Sequence, residues 1–552
     1  TQLLLFAPRA MAGRKGGEQA AARKDDHQAS PLWPHLPAAG VALVLALVAA
    51  AMVSNRMSSG GELLGSSVAA ERLMTEAEVL LREGRVPVAV SRLVAAQELD
   101  PTSLRALEML RGFRESLDGS MPQHTRAAVK SGVEQLERII YADLYTQGAL
   151  SGAGSQKLLL RLAQLHMLHL PVNDLERAGQ DLTAARAILG KLGGSVGPAT
   201  LEVCSSLASK LSDVLEERRR LTAHLRETGD AKEVALTMLP APSFSSVDRR
   251  SGLSAKEFSE EYLAKGRPVI ITDYATRVLQ GTWDWERVRS VCGDMQVALR
   301  RRSADARQQW AGLGESGVNS TLAAWMDEVI GGRAPSDLYL MDWGLVGNCD
   351  GLLKHFHMPR YFVGDLWKRL PFNTSGARDP FGGHPSLFVG AAGSGSALHV
   401  DSLASTFWQL LLRGRKRWTF LALPGEVQRR ALLYAGAEHE TMASYPQPGE
   451  IYNASVHPLL DVAMHFKVEV EVGVGEVMVV PHDVPHLVEN LEDVLAVSMN
   501  VLDASAVQRV KEDLAGRACY SERGSWLDSN LRLLSQEHLL VGPFAERDVP
   551  FS

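Results

Sequence analysis

The chain has few cysteines and no cluster of them. Its four cysteines are Cys204, Cys292, Cys349 and Cys519, and they are too far apart along the chain to form a CxxC pair. A cysteine-based zinc site is therefore not expected. One or two disulfides remain open, because the number of cysteines alone does not fix the redox compartment.

The chain also lacks an excess of positive charge. Its 58 Lys and Arg residues face 64 Asp and Glu residues, which gives a net charge of −6. A protein that follows a nucleic-acid backbone normally carries a basic surface, so nucleic acid is not an expected partner. Hydrophobic residues make up 45% and charged residues 22%, as in ordinary globular proteins. The 552 residues are too many for one core and predict several domains.

One long run near the start lacks any charge. Residues 36–53 (LPAAGVALVLALVAAAMV) are 18 in number, and as a helix they would be about 27 Å long, enough to cross a bilayer core. Residues 1–35 carry more basic residues than the stretch that follows, which predicts a cytosolic tail, a signal anchor at 36–54 and a lumenal remainder. The chain would then be a single-pass type II membrane protein of the endomembrane system. A cleaved signal peptide and a buried apolar helix remain open.

Three N-x-S/T sequons, at Asn319, Asn373 and Asn453, agree with a lumenal location. Because such triplets also arise by chance, they support the membrane prediction only weakly.

The middle of the chain has a helical pattern. Residues 55–67 are rich in Ser and Gly and are interpreted as a linker, and apolar residues recur at helical spacing over 68–235. Residues 75–101 resemble one tetratricopeptide unit, with small Ala89 and Ala96 where two helices would pack. A lone unit cannot bury its own face. A protein-binding scaffold and a spacer both remain open, and the spacer is favoured.

After about residue 239 the sequence pattern changes to short runs of residues that favour β-strands. The runs RPVIITDY, SLFVGAA, KRWTFLALP, VEVEVG, EVMVVP and LAVSMNVL are separated by Gly and Pro. Such spacing predicts an antiparallel sandwich or barrel. The chain as a whole is therefore predicted to be an α+β multidomain protein.

Within this β-rich part, SGSALHVDS carries a metal-ligand pattern. His399 and Asp401 are two residues apart, so on extended backbone they lie on one face. His486 of VPHDVPHLVEN is predicted as a third ligand from a distant strand, in preference to His482. Two imidazoles and one carboxylate on one face of an octahedral Fe(II) leave three positions open for a bidentate keto acid and O₂.

The neighbours of these residues resemble a known family. PSLFVGAAGSGSALHVDSLASTFWQLLLRGRKRWTF (385–420) and GEVMVVPHDVPHLVENLEDVLAVSMN (475–500) resemble the core of the Jumonji-C family, in its small hydroxylase-type branch. The resemblance covers residues 239–504. It implies a double-stranded β-helix, the cupin-type barrel, with Fe(II), 2-oxoglutarate as co-substrate and O₂.

The same resemblance implies roles for five pocket residues. Lys416 would pair with the distal carboxylate of 2-oxoglutarate, and a dianion in a low-dielectric barrel does require a cation there. Ser498, Tyr339 and Ser396 occupy positions that can hydrogen-bond the co-substrate. Gln409 stands where the family often has Asn, and the resemblance implies that it too contacts the co-substrate.

The implied reaction is oxidative decarboxylation of 2-oxoglutarate to succinate and CO₂, coupled to oxidation of a substrate C–H bond. The branch that the chain resembles predicts a protein substrate hydroxylated at Lys, Arg or Asn. A protein demethylase and a non-catalytic binding or scaffold protein are the alternatives. The tail, residues 505–552, has a helical pattern. Helices at this place often mediate dimers in the family that the chain resembles, so the resemblance implies a homodimer.

Overall fold

The computed structural model describes the chain in segments, the longest being 63–83, 85–99, 174–192, 198–302, 313–372, 377–423 and 459–520. The predicted membrane anchor, residues 36–54, lies outside the described residues, as do Asn373 and Asn453. No helix among the residues described is both long enough and apolar enough to cross a bilayer. Residues from Leu64 to Ser552 form one compact unit.

The N-terminal part of this unit is helical, as predicted. Its helices are α1 Leu63–Arg82, α2 Val86–Leu99, α3 Leu175–Lys191, α4 Pro198–Thr228 and α5 Ala231–Met238. The side chain of Asp174 accepts a hydrogen bond from the N–H of Arg177 and so caps the start of α3.

The predicted linker, 55–67, is wrong at its end. Helix α1 begins at Leu63, within that segment. Ser and Gly have low helix propensity, but α1 is amphipathic and buries Ala70, Met74 and Ala77, and packing of such a face outweighs propensity. Gly65, Ser66 and Ser67 therefore lie within the helix.

Helices α1 and α2 follow one another directly, as a helical repeat unit requires. Ala89 and Ala96 of α2 are buried, which agrees with their predicted place between closely packed helices. The tetratricopeptide interpretation itself stays a prediction, because a helix pair is common to many helical folds.

The β-rich part forms a two-layer sandwich. Its strands are β1 Asp248–Arg250, β2 Val269–Ile271, β3 Gln296–Arg302, β4 Gln309–Trp310, β5 Leu313–Thr321, β6 Leu338–Gly344, β8 Ser386–Gly390, β9 Gly395–His399, β10 Thr406–Arg413, β11 Lys416–Leu421, β12 Lys467–Val472, β13 Val477–Val480, β14 His486–Asn490 and β15 Val494–Val501. Two further strands, β7 His357–Met358 and β16 Val549–Pro550, pair with each other in a separate small sheet. Within the described residues, one sheet has the order β1-β2-β13-β10-β15-β8-β6-β3-β5-β4 and the other β12-β11-β14-β9.

From β8 onward the chain passes back and forth between the two sheets. β8, β10, β13 and β15 lie in the large sheet, and β9, β11, β12 and β14 in the small one. The turn from β10 to β11 contains Gly414 at φ 83°, and a Cβ there would lie 2.3 Å from the carbonyl oxygen of Asp493. This alternation is the winding of a double-stranded β-helix, the predicted barrel.

Helices cover the outer faces of the sheets. The further helices are α6 Ala255–Phe258, α7 Ala275–Val278, α8 Trp285–Cys292, α9 Leu322–Ile330, α10 Asp350–Leu353, α11 Leu460–Met464 and α12 Val507–Tyr520. Alternate residues of β15 face opposite ways: Leu495, Val497 and Met499 pack under helices, whereas Val494 and Ala496 face the inter-sheet core. Both faces are buried, so β15 is apolar almost throughout.

All four cysteines pair in the folded chain. Cys204 of α4 bonds to Cys519 of α12, and Cys292 of α8 bonds to Cys349 beside α10, with Cα–Cα distances of 5.6 Å and 5.8 Å. These distances lie within the usual range for disulfides. The sequence left the pairing open, and the fold decides it.

Candidate metal centre

The two sheets bring His399, Asp401 and His486 together inside the barrel. One possible ligand atom from each of the three side chains lies within 4.8 Å of the others, and all three residues are buried. His399 ends β9 and lies opposite His486, the first residue of β14. Asp401 lies two residues after His399 on extended backbone, directly before the turn Ser402–Ala404. Its side chain therefore lies on the same face as that of His399.

Hydrogen bonds orient both imidazole rings. Nδ1 of His399 lies 2.7 Å from the carbonyl oxygen of Ala397, and Nδ1 of His486 lies 2.9 Å from that of Val484. A carbonyl oxygen only accepts, so each Nδ1 carries the proton and each Nε2 presents a lone pair. Nε2 of His486 lies 4.0 Å from Oδ2 of Asp401.

The electrostatics of the cluster favour neutral imidazoles. Burial lowers the pKa of His399 to about 4, and burial together with His399 lowers the pKa of His486 well below its ordinary value. Neutral imidazole is the form that binds metal. Two such nitrogens and one carboxylate fit a divalent transition metal such as Fe(II). His482 is more exposed and lies outside this cluster.

Lys416 is a buried cation in the same barrel. It begins β11, is 2% exposed, and its Nζ donates a hydrogen bond of 2.9 Å to the hydroxyl of Tyr339. Burial lowers the pKa of Lys416 to about 7. A charged lysine at such a buried position is stabilised by an anion, and a bound anionic ligand would supply one.

The register of the small sheet sets the depth of this pocket. Lys416 pairs with Asn490 and Phe420 pairs with His486, so Lys416 lies four residues along the sheet from the metal ligand. At the usual rise per residue this is roughly 13 Å. An extended lysine side chain and a five-carbon diacid can together fill such a distance.

Tyr339 is held in place by a glycine. A Cβ on Gly390 of the neighbouring strand would lie 2.5 Å from the ring of Tyr339, so only glycine leaves room for that ring. Burial raises the pKa of Tyr339, and its hydroxyl stays protonated at neutral pH.

The remaining predicted pocket residues are buried in the barrel wall. Ser396 lies in β9, and Gln409 of β10 pairs with Ser498 of β15. Oε1 of Gln409 is buried and has no hydrogen-bond partner among the described residues. A buried amide oxygen of this kind is normally satisfied, which is consistent with a ligand in the pocket.

A series of hydrogen bonds between buried polar side chains beside Ser498 was not predicted from the sequence. His384 accepts the N–H of Asn500 on Nδ1, so its proton lies on Nε2, 3.1 Å from Oδ1 of Asp342. The hydroxyl of Ser386 donates to the same oxygen at 2.6 Å. Ser386 has one proton, so in its 3.1 Å contact with Ser498 the donor is Ser498.

This series of hydrogen bonds turns the hydroxyl proton of Ser498 away from the pocket. Burial acts to raise the pKa of Asp342, but hydrogen bonds from His384 and Ser386 outweigh burial, and the pKa is lowered. The last acceptor in the series is therefore an ionised carboxylate. A family pattern cannot reveal such an order, because it depends on residues brought together from three strands. Asp342 also lies in an irregular part of β6 at φ 58°, a conformation that few residues other than glycine adopt.

The fold and this cluster define a cupin-like barrel with a two-histidine, one-carboxylate centre. The family model for the cupin-like domain matches residues 254–502. These residues are thus a cupin-like domain that is similar to Jumonji-C demethylases and oxygenases.

Several curated relatives share the domain. Lysine-specific demethylase JMJ21 of Arabidopsis thaliana is 27% identical over 271 residues, 49% of this chain and 26% of the relative. The bifunctional arginine demethylase and lysyl-hydroxylase psr-1 of Caenorhabditis briggsae is 26% identical over 308 residues, 53% of this chain and 72% of the relative. The 2-oxoglutarate and iron-dependent oxygenase JMJD4 of Mus musculus is 22% identical over 282 residues, 47% and 61%. The match thus spans less than two thirds of JMJ21 and of JMJD4.

Proposed function

We propose that the chain is an Fe(II)- and 2-oxoglutarate-dependent dioxygenase that hydroxylates a protein side chain. The observation that carries this proposal is the convergence of His399, Asp401 and His486 in a buried site that also contains Lys416. The relatives support it, because JMJD4 is named as such an oxygenase and psr-1 as a demethylase and hydroxylase.

The residues of the chain would divide the work as follows. His399, Asp401 and His486 hold Fe(II), which when bound couples decarboxylation of 2-oxoglutarate to oxidation of the substrate by O₂. The ammonium of Lys416 neutralises the distal carboxylate of the co-substrate, and the Tyr339 hydroxyl fixes that ammonium at 2.9 Å. The closely packed walls exclude water from the reacting atoms.

Ser396, Ser498 and Gln409 line the pocket in this proposal. Gln409 offers an amide whose oxygen still lacks a partner among the described residues. Ser498 can donate to the co-substrate only if its hydroxyl turns away from Ser386. We therefore assign the main share of carboxylate binding to Lys416 and Tyr339.

The substrate is expected to be a protein, hydroxylated at Lys, Arg or Asn. A demethylase is a second candidate, since removal of an N-methyl group begins with the same C–H oxidation and JMJ21 and psr-1 are named as demethylases. A non-catalytic binding protein is a third, but a site that has lost turnover has no use for a complete ligand set and a buried cation.

The first experiment measures succinate release with Fe(II), ascorbate and 2-oxoglutarate, in wild type and in Asp401→Ala. A dioxygenase releases succinate only with an intact metal centre. Equal release by both proteins, or none by either, would contradict the proposal. Mass-spectrometric comparison of protein hydroxylation and methylation in cells with and without the gene then separates hydroxylase from demethylase.

We also propose that residues 36–54 anchor the chain in an endomembrane, with the domain in the lumen. Pairing of all four cysteines supports this, because disulfides persist in oxidising compartments. Asn319 is exposed, as a glycosylated asparagine must be. The helical region, 68–235, would then act as a spacer, and the tail could form a homodimer.

Alkaline carbonate extraction of membranes, followed by removal of N-glycans, tests this location. An anchored lumenal protein stays in the membrane pellet, and glycan removal changes its mass unless Asn319, Asn373 and Asn453 are replaced by Gln. Release into the supernatant with an unchanged mass would contradict both parts.

A further inference from the structure

Two metal ligands are flanked by residues in an uncommon backbone conformation. Among the described residues other than glycine, Asp342, Leu403 and Asp483 have positive φ, at 58°, 56° and 59°. Leu403 lies two residues after Asp401, and Asp483 lies three residues before His486. Such a conformation is strained for a residue other than glycine and persists only where the surroundings hold it.

Helix α12 holds the turn that contains Asp483. Nε of Arg509, near the start of α12, donates to Oδ2 of Asp483 at 2.6 Å. The two side chains are 7% and 8% exposed, so little water competes for this ion pair. The turn leads directly into His486, whose ring is oriented by the carbonyl oxygen of Val484 within the same turn.

The same helix holds the turn that contains Leu403. Helix α12 packs against the turn Ser402–Ala404, which directly follows Asp401. Leu403 shares a buried apolar cluster with Ala506, Val510 and Leu514. One element outside the barrel therefore contacts both turns that carry metal ligands.

Helix α12 is in turn tied to the helical region. Cys519 near its end forms the disulfide with Cys204 of α4, and these two residues are 315 apart in sequence. Lys210 of α4 and Glu512 of α12 form an ion pair of 2.8 Å beside it. Both links join the same two helices.

We propose that α12 is the positioning element of the metal centre and that the Cys204–Cys519 disulfide clamps it in place. Arg509 acts through Asp483, which lies three residues before His486, and is therefore a positioning residue. This inference rests on the proposed metal site. The helical region, besides serving as a spacer, would then set how tightly the barrel binds its metal.

The clamp can be opened by a dithiol. Dithiothreitol breaks the Cys204–Cys519 bond, each sulfur gains one electron and one proton, and the reagent is oxidised to its cyclic disulfide. In the compartment proposed above, the reverse step needs a protein disulfide exchange partner that accepts the two electrons. The reduced chain should hold α12 through noncovalent contacts alone.

The test uses the full chain and Co(II), an air-stable divalent probe whose visible absorption reports its coordination. Loss of a residue that orients a metal ligand typically weakens binding about 10- to 100-fold. We expect such a loss in Arg509→Met and about a tenfold loss in Cys204→Ser/Cys519→Ser. The matched control is Cys292→Ser/Cys349→Ser, which removes a disulfide that does not involve α12 and should change the affinity less than twofold.

A second variant separates positioning from simple destabilisation. Arg509→Met leaves the buried Asp483 charge without its arginine partner, whereas Arg509→Met/Asp483→Asn removes both charges and keeps a residue that tolerates positive φ. The double variant should keep the wild-type melting temperature within a few degrees yet bind Co(II) at least fivefold more weakly. Full recovery of affinity would overturn the proposal.

Reduction gives an independent readout. Because dithiothreitol itself binds Co(II), the protein is reduced, freed of the reagent without air and then titrated. Wild type treated in this way should bind Co(II) more weakly, with opening of the disulfide checked by alkylation and mass spectrometry, and the treatment should not weaken the Cys204→Ser/Cys519→Ser variant further. Unchanged affinity in fully reduced wild type refutes the clamp alone. Failure of wild type to bind Co(II) more tightly than Asp401→Ala refutes the metal site itself.

Discussion

Replacement of Lys416 by Met is the sharpest test of the co-substrate pocket. The ammonium is 2% exposed, so a dianion bound beside it has little water to replace the lost cation. Removal of one partner from a buried ion pair costs about 3–5 kcal/mol. Each 1.4 kcal/mol is tenfold in an equilibrium constant, which corresponds to a loss of affinity of at least about 100-fold.

Arg417→Met is the matched control for this change. Arg417 is the next residue of β11, and its side chain is 41% exposed and contacts Glu471 and Glu489. Exposed ion pairs of this kind contribute only about 0–1 kcal/mol. Lys416→Met and Arg417→Met thus remove one positive charge each, from neighbouring residues whose side chains lie on opposite faces of β11.

The assay is succinate release as a function of 2-oxoglutarate concentration. In Lys416→Met we expect the KM for 2-oxoglutarate to rise at least about 100-fold, whereas Arg417→Met should stay within threefold of wild type. A rise of less than threefold in Lys416→Met would refute the reasoning, because the buried cation would then not meet the co-substrate. The folded state of both variants is checked by thermal unfolding.

Three further predictions concern Asp401, Lys416 and Asp365, a buried carboxyl between β7 and β8. Asp401→Ala should abolish tight binding of divalent metal in an anaerobic Fe(II) titration while the protein stays folded, and wild-type affinity in this variant would exclude Asp401 as a ligand. The pKa of Lys416 is lowered to about 7, so the affinity for 2-oxoglutarate should fall as pH rises above about 7, by at most about tenfold per unit; a flat titration between pH 6.5 and 9 would speak against this. Burial raises the pKa of Asp365 from 3.8 to about 7, so the folded protein favours the neutral carboxyl. The free energy of unfolding should therefore fall by up to about 4 kcal/mol as the pH rises from about 4 to about 7. Asp365→Asn still accepts the N–H bonds of Leu502 and Trp367 and should remove this loss in urea unfolding at pH 5 and pH 8.

The metal centre could be anticipated because its pattern is local. A residue pair two apart on extended backbone shares a face, and this rule relates His399 to Asp401 before any fold is known. The third ligand, His486, was predicted from the residues around it as coming from a distant strand, and the structure brings it opposite His399. Lys416 was inferred from family likeness, but its hydrogen bond to Tyr339 depends on the room that Gly390 leaves.

The helical part shows where local pattern fails. Apolar spacing predicted a helical region over 68–235, and α3, which Asp174 caps, lies within it. The start of α1 was misplaced because composition suggested a linker, whereas the packing of Ala70 and Met74 against other helices decides where the helix begins. Propensity acts over a few residues, and packing involves residues far away in the chain.

The sequence by itself determined the strand-rich domain, the ligand types and the likeness to Jumonji-C proteins, since these depend on residue identity and short spacing. Only the tertiary structure decided which cysteines pair, which way the Ser498 hydroxyl points, and that α12 reaches both turns beside the metal ligands. Four cysteines allow three pairings, and a hydroxyl proton follows whichever acceptor the fold brings near. Both are set by distances between residues that are remote in sequence, and these distances exist only in the folded chain.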